Sequence, residues 1–206
     1  MYVRRESLTS SSFTSLVHHF LPTDNNPTQK LQPGGPGYEI QYSTTAVLPY
    51  LLSLTPSNDL DATFDAIAEH EQTLLHRLLG YLTDAKQVER GVRIVGDGNV
   101  SITRVPTICF VVSGDHWHKS IRSLDIVKAF DKKGGVRHVI LCPCDDTDQH
   151  SAQIGIRYGH FYAYSLIADL SPKLDINDGV VRISLVHYNT LQEVDRIIEI
   201  LEEVFG

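Results

Sequence analysis

Arg182 is the first residue with a potential chemical role, because it interrupts an apolar segment that alternates as a strand does. Its neighbours are Val180, Val181, Ile183 and Leu185, so the segment is expected to be largely buried. An unpaired charge in such a segment is costly and requires a partner or a ligand. The planar guanidinium suits a carboxylate, to which it donates two parallel hydrogen bonds. Two structural alternatives stay open and are favoured by composition alone: an exposed arginine on an edge strand, or an internal pair with an aspartate.

A second candidate is the segment Arg157–Tyr162, with the sequence RYGHFY. It places Arg157, His160 and two tyrosines beside a glycine hinge at Gly159, so several hydrogen-bond donors could point into one pocket. The alternative is a surface loop whose aromatic side chains pack against the protein.

Metal binding is not expected. His116 and His118 would share one face of a strand, but they follow Gly114, which favours a loop, and no third ligand is evident. Cys142 and Cys144 form a CxC without a second Cys/His pair at zinc-like spacing. Free thiols in or near a loop are the simpler interpretation.

Composition narrows the functional classes further. The 206 residues include 18 Lys plus Arg and 25 Asp plus Glu, a net charge of −7, which argues against a nucleic-acid scaffold. The residues near the start contain no apolar span, so no membrane segment is expected. The three cysteines are too few for a disulfide framework and indicate a reducing compartment, which we expect to be the cytoplasm. No Walker loop, nucleophile elbow or dinucleotide fingerprint occurs.

Periodicity predicts the elements that must position these residues. Residues 1–40 are rich in Ser, Thr, Pro, Asn and Gly and are expected to be irregular. Helices are expected over residues 41–88: one from Tyr42 to Leu54, kinked or capped at Pro49, and a longer one from Asp59 to Leu82 with Asp59 or Asp61 as N-cap. The apolar stripe of the longer helix comprises Phe64, Ile67, Ala68, Leu75, Leu78, Leu79 and Leu82.

Residues 89–206 are predicted to form an α+β domain in which helices cover one face of a mostly antiparallel sheet. A hairpin is expected from Val92–Val95 and Val100–Arg104, followed by a buried strand over Thr107–Ser113. Three further strands are predicted, at Val136–Leu141, Ile154–Ile156 and Val180–His187. Two helices are expected between them, one through Ile121 and Phe130 that ends at Gly134 and a short one in Phe161–Leu170. A last helix starts at a capping box, Thr190 to Glu193, and is expected to bury Leu191, Val194, Ile197, Ile198, Leu201 and Phe205.

The order of these motifs resembles the C-terminal part of class V aminotransferases, a family that includes the cysteine desulfurases. The matching segments are Gly155–Ala163 (GIRYGHFYA) and Asp178–Leu201 (DGVVRISLVHYNTLQEVDRIIEIL). Lys30–Glu39 (KLQPGGPGYE) is similar to the Gly-Pro stretch that precedes a helix in the family, and MYVRRE at the start is similar to the strand after the cofactor lysine. The resemblance covers essentially the whole chain.

The resemblance implies a fold-type I enzyme that uses pyridoxal phosphate, acts on a small amino acid and forms a homodimer. This chain would supply the small domain, the interdomain helices and a remnant of the large domain. Arg182 would bind the substrate carboxylate, with Arg157 and His160 on a lid-like loop beside it. Gly35 replaces a threonine that reaches the cofactor phosphate in relatives, so Gly34 and Gly35 would contribute at most backbone N–H groups.

Several departures from the family pattern lower the expected activity of this chain. Tyr162 occupies the position of the desulfurase cysteine, and a phenol cannot carry a persulfide. The lysine that binds the cofactor lies upstream of the MYVRRE-like strand in relatives, and Lys30 is not at that position. Residues 136–153 resemble an insertion. We therefore expect an inactive C-terminal portion of such an enzyme or, alternatively, a non-catalytic binding or dimerisation protein.

Overall fold

The computed structural model describes residues 4–9, 35, 37–114, 120–133 and 154–206. The predicted strand at Val136–Leu141, the histidines at 116 and 118, and Cys142 and Cys144 lie outside these ranges. The chain divides into two units, residues 1–63 and 64–206. The elements are α1 (Arg5–Thr9), α2 (Tyr38–Ser43), a 3-10 helix (Thr44–Ala46), α3 (Val47–Ser53), α4 (Leu60–Leu82), α5 (Ala85–Glu89), β1 (Val92–Ile94), β2 (Thr107–Val112), α6 (Ser123–Lys133), β3 (Arg157–Gly159), α7 (Tyr164–Asp169), β4 (Val180–Ser184) and α8 (Leu191–Phe205).

The helical stretch of the first unit is segmented. The hydroxyl groups of Ser43, Thr44 and Thr45 each donate a hydrogen bond to the backbone carbonyl three residues earlier. These bonds compete with the regular backbone hydrogen bonds of an α-helix, and a 3-10 turn separates α2 from α3 there. Pro49 lies in the first turn of α3, where its missing N–H removes no helical hydrogen bond. The predicted Tyr42–Leu54 helix is therefore divided in two.

Helix α4 starts where the sequence predicts. The Asp59 carboxylate accepts a hydrogen bond from the Ala62 backbone N–H at 2.9 Å, which satisfies one of the free donors of the first turn. The last two turns are the buried part, through Leu74, Leu75, Leu78, Leu79 and Leu82. Phe64 was expected in this apolar stripe, but 53% of its surface is exposed, so the stripe does not extend to the start of the helix.

The sheet is antiparallel throughout, with strand order β1-β2-β4-β3. Because side chains alternate along each strand, one face carries Ile108, Phe110, Val181 and Ile183, which pack against α4, α6 and α8. This cluster also contains Ile126 and Phe130 of α6 and Val194, Ile197, Ile200 and Leu201 of α8. The described part of the second unit is thus α+β.

The opposite face of the sheet is covered only in part. Val111 and Val180 pack there against Ile167 of α7, with Phe161 and Leu174 beside them. Helices therefore lie on both faces, three long ones on the first and the short α7 on the second, whereas the sequence predicted one covered face.

The predicted hairpin is wrong. β1 pairs with β2, in the register Val92 opposite Val112, and residues 100–104 form no strand. Ile102 is 76% exposed, and a turn closes when the Arg104 N–H donates to the Ser101 carbonyl at 2.9 Å. Val100, Ser101, Ile102 and Thr103 alternate as a strand does, but Val100 is also exposed, so the alternation finds no buried surface to pack against.

Two smaller corrections concern the edge of the sheet and the last helix. Ile154 and Ile156 are buried as expected, but the strand follows them as β3. In α8 the capping box forms as predicted: the Thr190 hydroxyl accepts from the Glu193 N–H and the Glu193 carboxylate accepts from the Thr190 N–H. Leu191, expected in the buried stripe, is 40% exposed, and Ile200, not expected there, is fully buried.

A carboxylate of α8 connects three elements of the helical face. Glu202 accepts hydrogen bonds from the hydroxyl of Tyr81 at 2.8 Å and from Arg90 at 2.9 Å, and further ones from Lys86 and Gln87. The hydrogen bonds from Lys86, then Tyr81, then Arg90 lower the pKa of Glu202 to about 2. The pKa of Tyr81 is raised, mainly because its hydroxyl is buried and secondly because it donates a hydrogen bond to Glu202.

Replacing Glu202 with glutamine is expected to reduce the free energy of unfolding at neutral pH by about 1 kcal/mol, a value kept low because the carboxylate is partly exposed. A lowered pKa stabilises the fold above the ordinary value of 4.5, and this contribution is lost as pH falls toward about 2. The difference between wild type and E202Q should therefore shrink between these pH values in urea denaturation. E199Q, which breaks only an exposed pair with Arg196, is the control. A difference that stays constant as pH falls would contradict the assigned role.

Candidate functional site

The candidate site lies on the second face of the sheet, where three side chains form a row across neighbouring strands. Arg182 of β4 is directly opposite Cys109 of β2 on one side and Arg157 of β3 on the other. Residues opposite one another in an antiparallel pair project to the same face, with Cβ atoms about 4.5–5.5 Å apart. The two arginines that the sequence singled out 25 residues apart, at 157 and 182, are therefore neighbours.

The guanidinium of Arg182 is held by an aromatic ring rather than by a carboxylate. Its Cζ atom lies 4.1 Å from the centroid of the Phe161 ring, which is cation–π geometry. The residue is half-buried. Among the described residues no side chain or carbonyl accepts a hydrogen bond from it, so the internal aspartate pair that the sequence left open does not form there. Its donor edges are left for a ligand.

Phe161 reaches this position through an unusual loop. Phe161 and Tyr162 have φ angles of 49° and 63°, a left-handed conformation that residues with side chains adopt rarely. The Ala163 N–H donates to the His160 carbonyl at 2.8 Å and closes the turn. Two successive residues in this conformation carry strain, which the surroundings must offset.

A contact between two glycines fixes the start of that loop. Gly159 and Gly179 meet backbone to backbone, and a Cβ added to Gly179 would lie 2.3 Å from the Gly159 carbonyl carbon. Beside it, the Asp178 carboxylate accepts from the N–H groups of Ser123 and Leu124 at 2.7 and 3.1 Å, which caps α6. The glycine pair thus connects the end of β3 to the start of β4 and to α6.

His160 lies at the end of β3 with a partly buried ring. Its Nδ1 atom is buried and has no hydrogen-bond partner among the described residues. The ring contacts Tyr164 edge to face, with centroids 5.9 Å apart. A buried ring nitrogen without a partner is an unusual feature and is compatible with a ligand contact.

Arg157 and His160 line one cleft of about 730 Å³ at the edge of the sheet. Phe161, Tyr162, Lys128 and Asp131 are also part of its lining, and Arg182 is not. The structure thus brings Arg157 and His160 together directly, and Arg182 joins them through its register with Arg157 and its stacking on Phe161. Tyr162 is fully exposed to solvent.

Two residues of this region received no site role of their own from the sequence. Phe161 lay within the candidate segment Arg157–Tyr162 and at the start of an expected short helix, and Cys109 was expected only as a free thiol. Burial raises the pKa of the Cys109 thiol, while the charges of Arg182 and Arg104 oppose this effect. The thiol is thus neutral near pH 7. Residue type alone did not indicate a site role for either position. The alternation of side chains along Thr107–Val112 does place Cys109 on the face of the sheet that points away from the main core.

The remaining predicted site residues are not tested by this geometry. Gly35 is exposed, with open space where a Cβ would be, and Gly34 lies outside the described residues. Within the described ranges no cluster of three or more His, Cys, Asp or Glu side chains could hold a metal ion. In the same ranges no helix combines the length and the apolar character needed to cross a membrane.

No known protein-family model matches this chain. A search of curated proteins does find a relative. It is an aminotransferase-like protein of Gibberella zeae. The two sequences are 36% identical over 195 residues.

The match covers 94% of this chain and 40% of the relative's length. The chain is therefore similar to an aminotransferase-like protein over nearly its whole length. The match supports the aminotransferase part of the resemblance, and it carries no information on the class of aminotransferase.

Proposed function

We propose that this chain is the substrate-carboxylate-binding domain of a class V aminotransferase-like enzyme that depends on pyridoxal phosphate and acts on a small amino acid. The observation that carries the proposal is the state of Arg182: half-buried, stacked on Phe161 and without a carboxylate partner among the described residues. A fixed guanidinium with free donor edges binds a carboxylate in a defined orientation. The match to an aminotransferase-like protein supports the aminotransferase part of the proposal.

In this proposal the residues of the chain bind and orient the substrate. Arg182 holds the carboxylate, and the Phe161 ring limits the directions that the guanidinium can take. Arg157 and His160 line the adjoining cleft, where the rest of the substrate would lie. Tyr162 at the rim of this cleft is fully exposed, and its phenol cannot carry a persulfide.

The described residues do not by themselves form a site for pyridoxal phosphate. Such a site needs a lysine in a protected environment, a carboxylate for the ring nitrogen and a phosphate cradle. Lys128, the lysine that lines the cleft, is exposed, and Gly35 lies open to solvent. When bound, the cofactor supplies the electron sink of amino-group chemistry, and we assign its attachment to a part of the enzyme outside this chain.

Borohydride trapping followed by peptide mass spectrometry tests this assignment. The 206-residue chain, incubated with pyridoxal phosphate and reduced, is expected to show no preferred lysine. The product of the complete native reading frame is expected to be labelled at one lysine outside residues 1–206. Preferred labelling of Lys30, Lys128 or another lysine of this chain would overturn the assignment, as would absence of labelling in the complete product.

A non-catalytic role as a binding or dimerising protein is the second candidate. It is favoured by the apolar surface of the stretch 38–50, in which Tyr38, Ile40 and Tyr42 are each more than 70% exposed. A cluster of exposed apolar side chains is typical of an association surface. In this case the second copy of the chain is the partner we propose. Sedimentation velocity tests this second candidate: a clean monomer at all concentrations would exclude dimerisation through this stretch.

A further inference from the structure

The strongest unexplained feature of the molecule is the pair of like charges at the edge of its sheet. Arg157 and Arg182 are opposite one another on a single face. Like charges in this arrangement destabilise a strand pair. The two arginines therefore do not stabilise the strand pair unless a negatively charged group lies between or beside them.

The chain has acidic groups in excess, so the missing counter-charge is not a matter of composition. Four other arginines of the second unit are each paired with a carboxylate: Arg77 with Asp195, Arg90 with Glu202, Arg122 with Asp125 and Arg196 with Glu199. Arg93 and Arg104 form no ion pair with a described carboxylate, and Arg93 donates instead to the Ser171 carbonyl at 2.6 Å. Neither Arg157 nor Arg182 forms such a pair with a described residue. Asp131 lines the same cleft as Arg157 without an ion pair to it. The third member of the row, Cys109, carries no carboxylate, and burial raises the pKa of its thiol.

The two arginines differ in burial and in position within the sheet. Arg182 lies on β4, inside the sheet, and is half-buried against Phe161. Arg157 lies on the edge strand β3 and is exposed. The fixed guanidinium suits the group common to every substrate, and the exposed one suits a group that distinguishes one substrate from another.

We propose that Arg157 is a specificity residue that binds a second carboxylate, so that the substrate is a dicarboxylic amino acid. This inference rests on the proposed function of Arg182 as the ligand of the common carboxylate. Lys128 and Asp131 of α6 also line the cleft and their charges offset one another, so Arg157 supplies the net positive charge of the lining. A substrate with one carboxylate leaves the Arg157 charge uncompensated.

Isothermal titration calorimetry of the 206-residue chain at low ionic strength tests this directly. The probes are two pairs of acids matched in chain length, butyrate with succinate and valerate with glutarate, together with inorganic phosphate. Wild type is expected to bind each dicarboxylate roughly fivefold more tightly than its matched monocarboxylate. R157Q is expected to lose this preference, because its dicarboxylate affinity falls several-fold more than its monocarboxylate affinity. R196Q, which removes the same charge from the opposite face of the sheet, is the control and should keep the preference.

Each alternative outcome is decisive. Equal loss of both acid classes in R157Q, no preference in wild type, or tighter binding of phosphate than of either dicarboxylate would overturn the specificity role. An unchanged monocarboxylate affinity in R182Q would instead overturn the proposed function, whatever Arg157 does. Absence of measurable binding of every acid to wild type would contradict both. Circular dichroism of each variant establishes that its fold is intact.

Discussion

Replacing Gly179 with alanine is expected to destabilise the second unit by about 3–4 kcal/mol. Part of this loss, roughly 1 kcal/mol, arises because Gly179 has a φ angle of 61°, which is unfavourable for a residue with a Cβ. The larger part, up to about 3 kcal/mol, comes from overpacking. The new Cβ would lie 2.3 Å from the carbonyl carbon and 2.5 Å from the oxygen of Gly159, and backbone atoms cannot move aside as a flexible side chain can. A typical domain has about 5–15 kcal/mol of stability in total, so the effect is large.

The same substitution should also damage the candidate site. Separating Gly179 from Gly159 displaces the end of β3 and the turn that holds Phe161 against Arg182. Urea denaturation followed by circular dichroism measures the first effect, and carboxylate titration of the folded variant measures the second. G155A is the control, because Gly155 lies close in sequence, is exposed and has open space around a new Cβ. A stability loss below about 1 kcal/mol for G179A, the size of a typical substitution, would show that the two backbones are not in contact.

Replacing Arg182 with glutamine is expected to weaken monocarboxylate binding at least about tenfold. A charge-assisted hydrogen bond contributes about 1.5–3 kcal/mol, and glutamine offers neither the charge nor the paired donors. R182K should lose most of this affinity as well, since an ammonium group cannot bind both carboxylate oxygens in the same geometry. F161L should reduce affinity less, because it removes the stacking ring and leaves the guanidinium in place.

Calorimetric titration with butyrate measures all three variants. R196Q again removes an arginine charge elsewhere and should bind as wild type does. If R182K binds butyrate as tightly as wild type, the guanidinium does not make a paired contact. If F161L has no effect, the ring does not position Arg182.

Local pattern predicted the elements on which the site depends. The alternation around Arg182 correctly separated the core-facing residues Val181, Ile183 and Leu185 from Arg182 and Ser184. The capping box at Thr190 and the N-cap at Asp59 form as their side-chain chemistry predicts. In each case the deciding interaction lies within a few residues, where a sequence pattern carries the information.

Interactions distant in sequence could not be predicted in the same way. Nothing near Val92 shows that its partner strand is Thr107–Val112 and not the nearer residues 100–104. The choice follows from burial, because the β2 residues fill the core and Ile102 does not. The position of Arg157 opposite Arg182 likewise depends on strand register, which the contact of Gly159 with Gly179 helps to fix.

The stacking of Phe161 on Arg182 is the clearest feature that the sequence did not predict. It requires two consecutive left-handed residues without a glycine, a conformation that local propensity disfavours. Such strain is characteristic of functional sites, where the surrounding structure offsets it. Propensity therefore failed at the loop to which the family resemblance assigned a role.

The most direct test of carboxylate binding by Arg182 is a nuclear magnetic resonance titration of the arginine Nε–Hε groups in the labelled chain. The Arg182 signal, assigned by its absence in R182K, is expected to shift on addition of butyrate and to saturate. The signals of Arg77, Arg90 and Arg196, which are paired with carboxylates of the protein, should remain in place. An Arg182 signal that does not move, while butyrate binds and shifts others, would contradict its role as the carboxylate-binding residue.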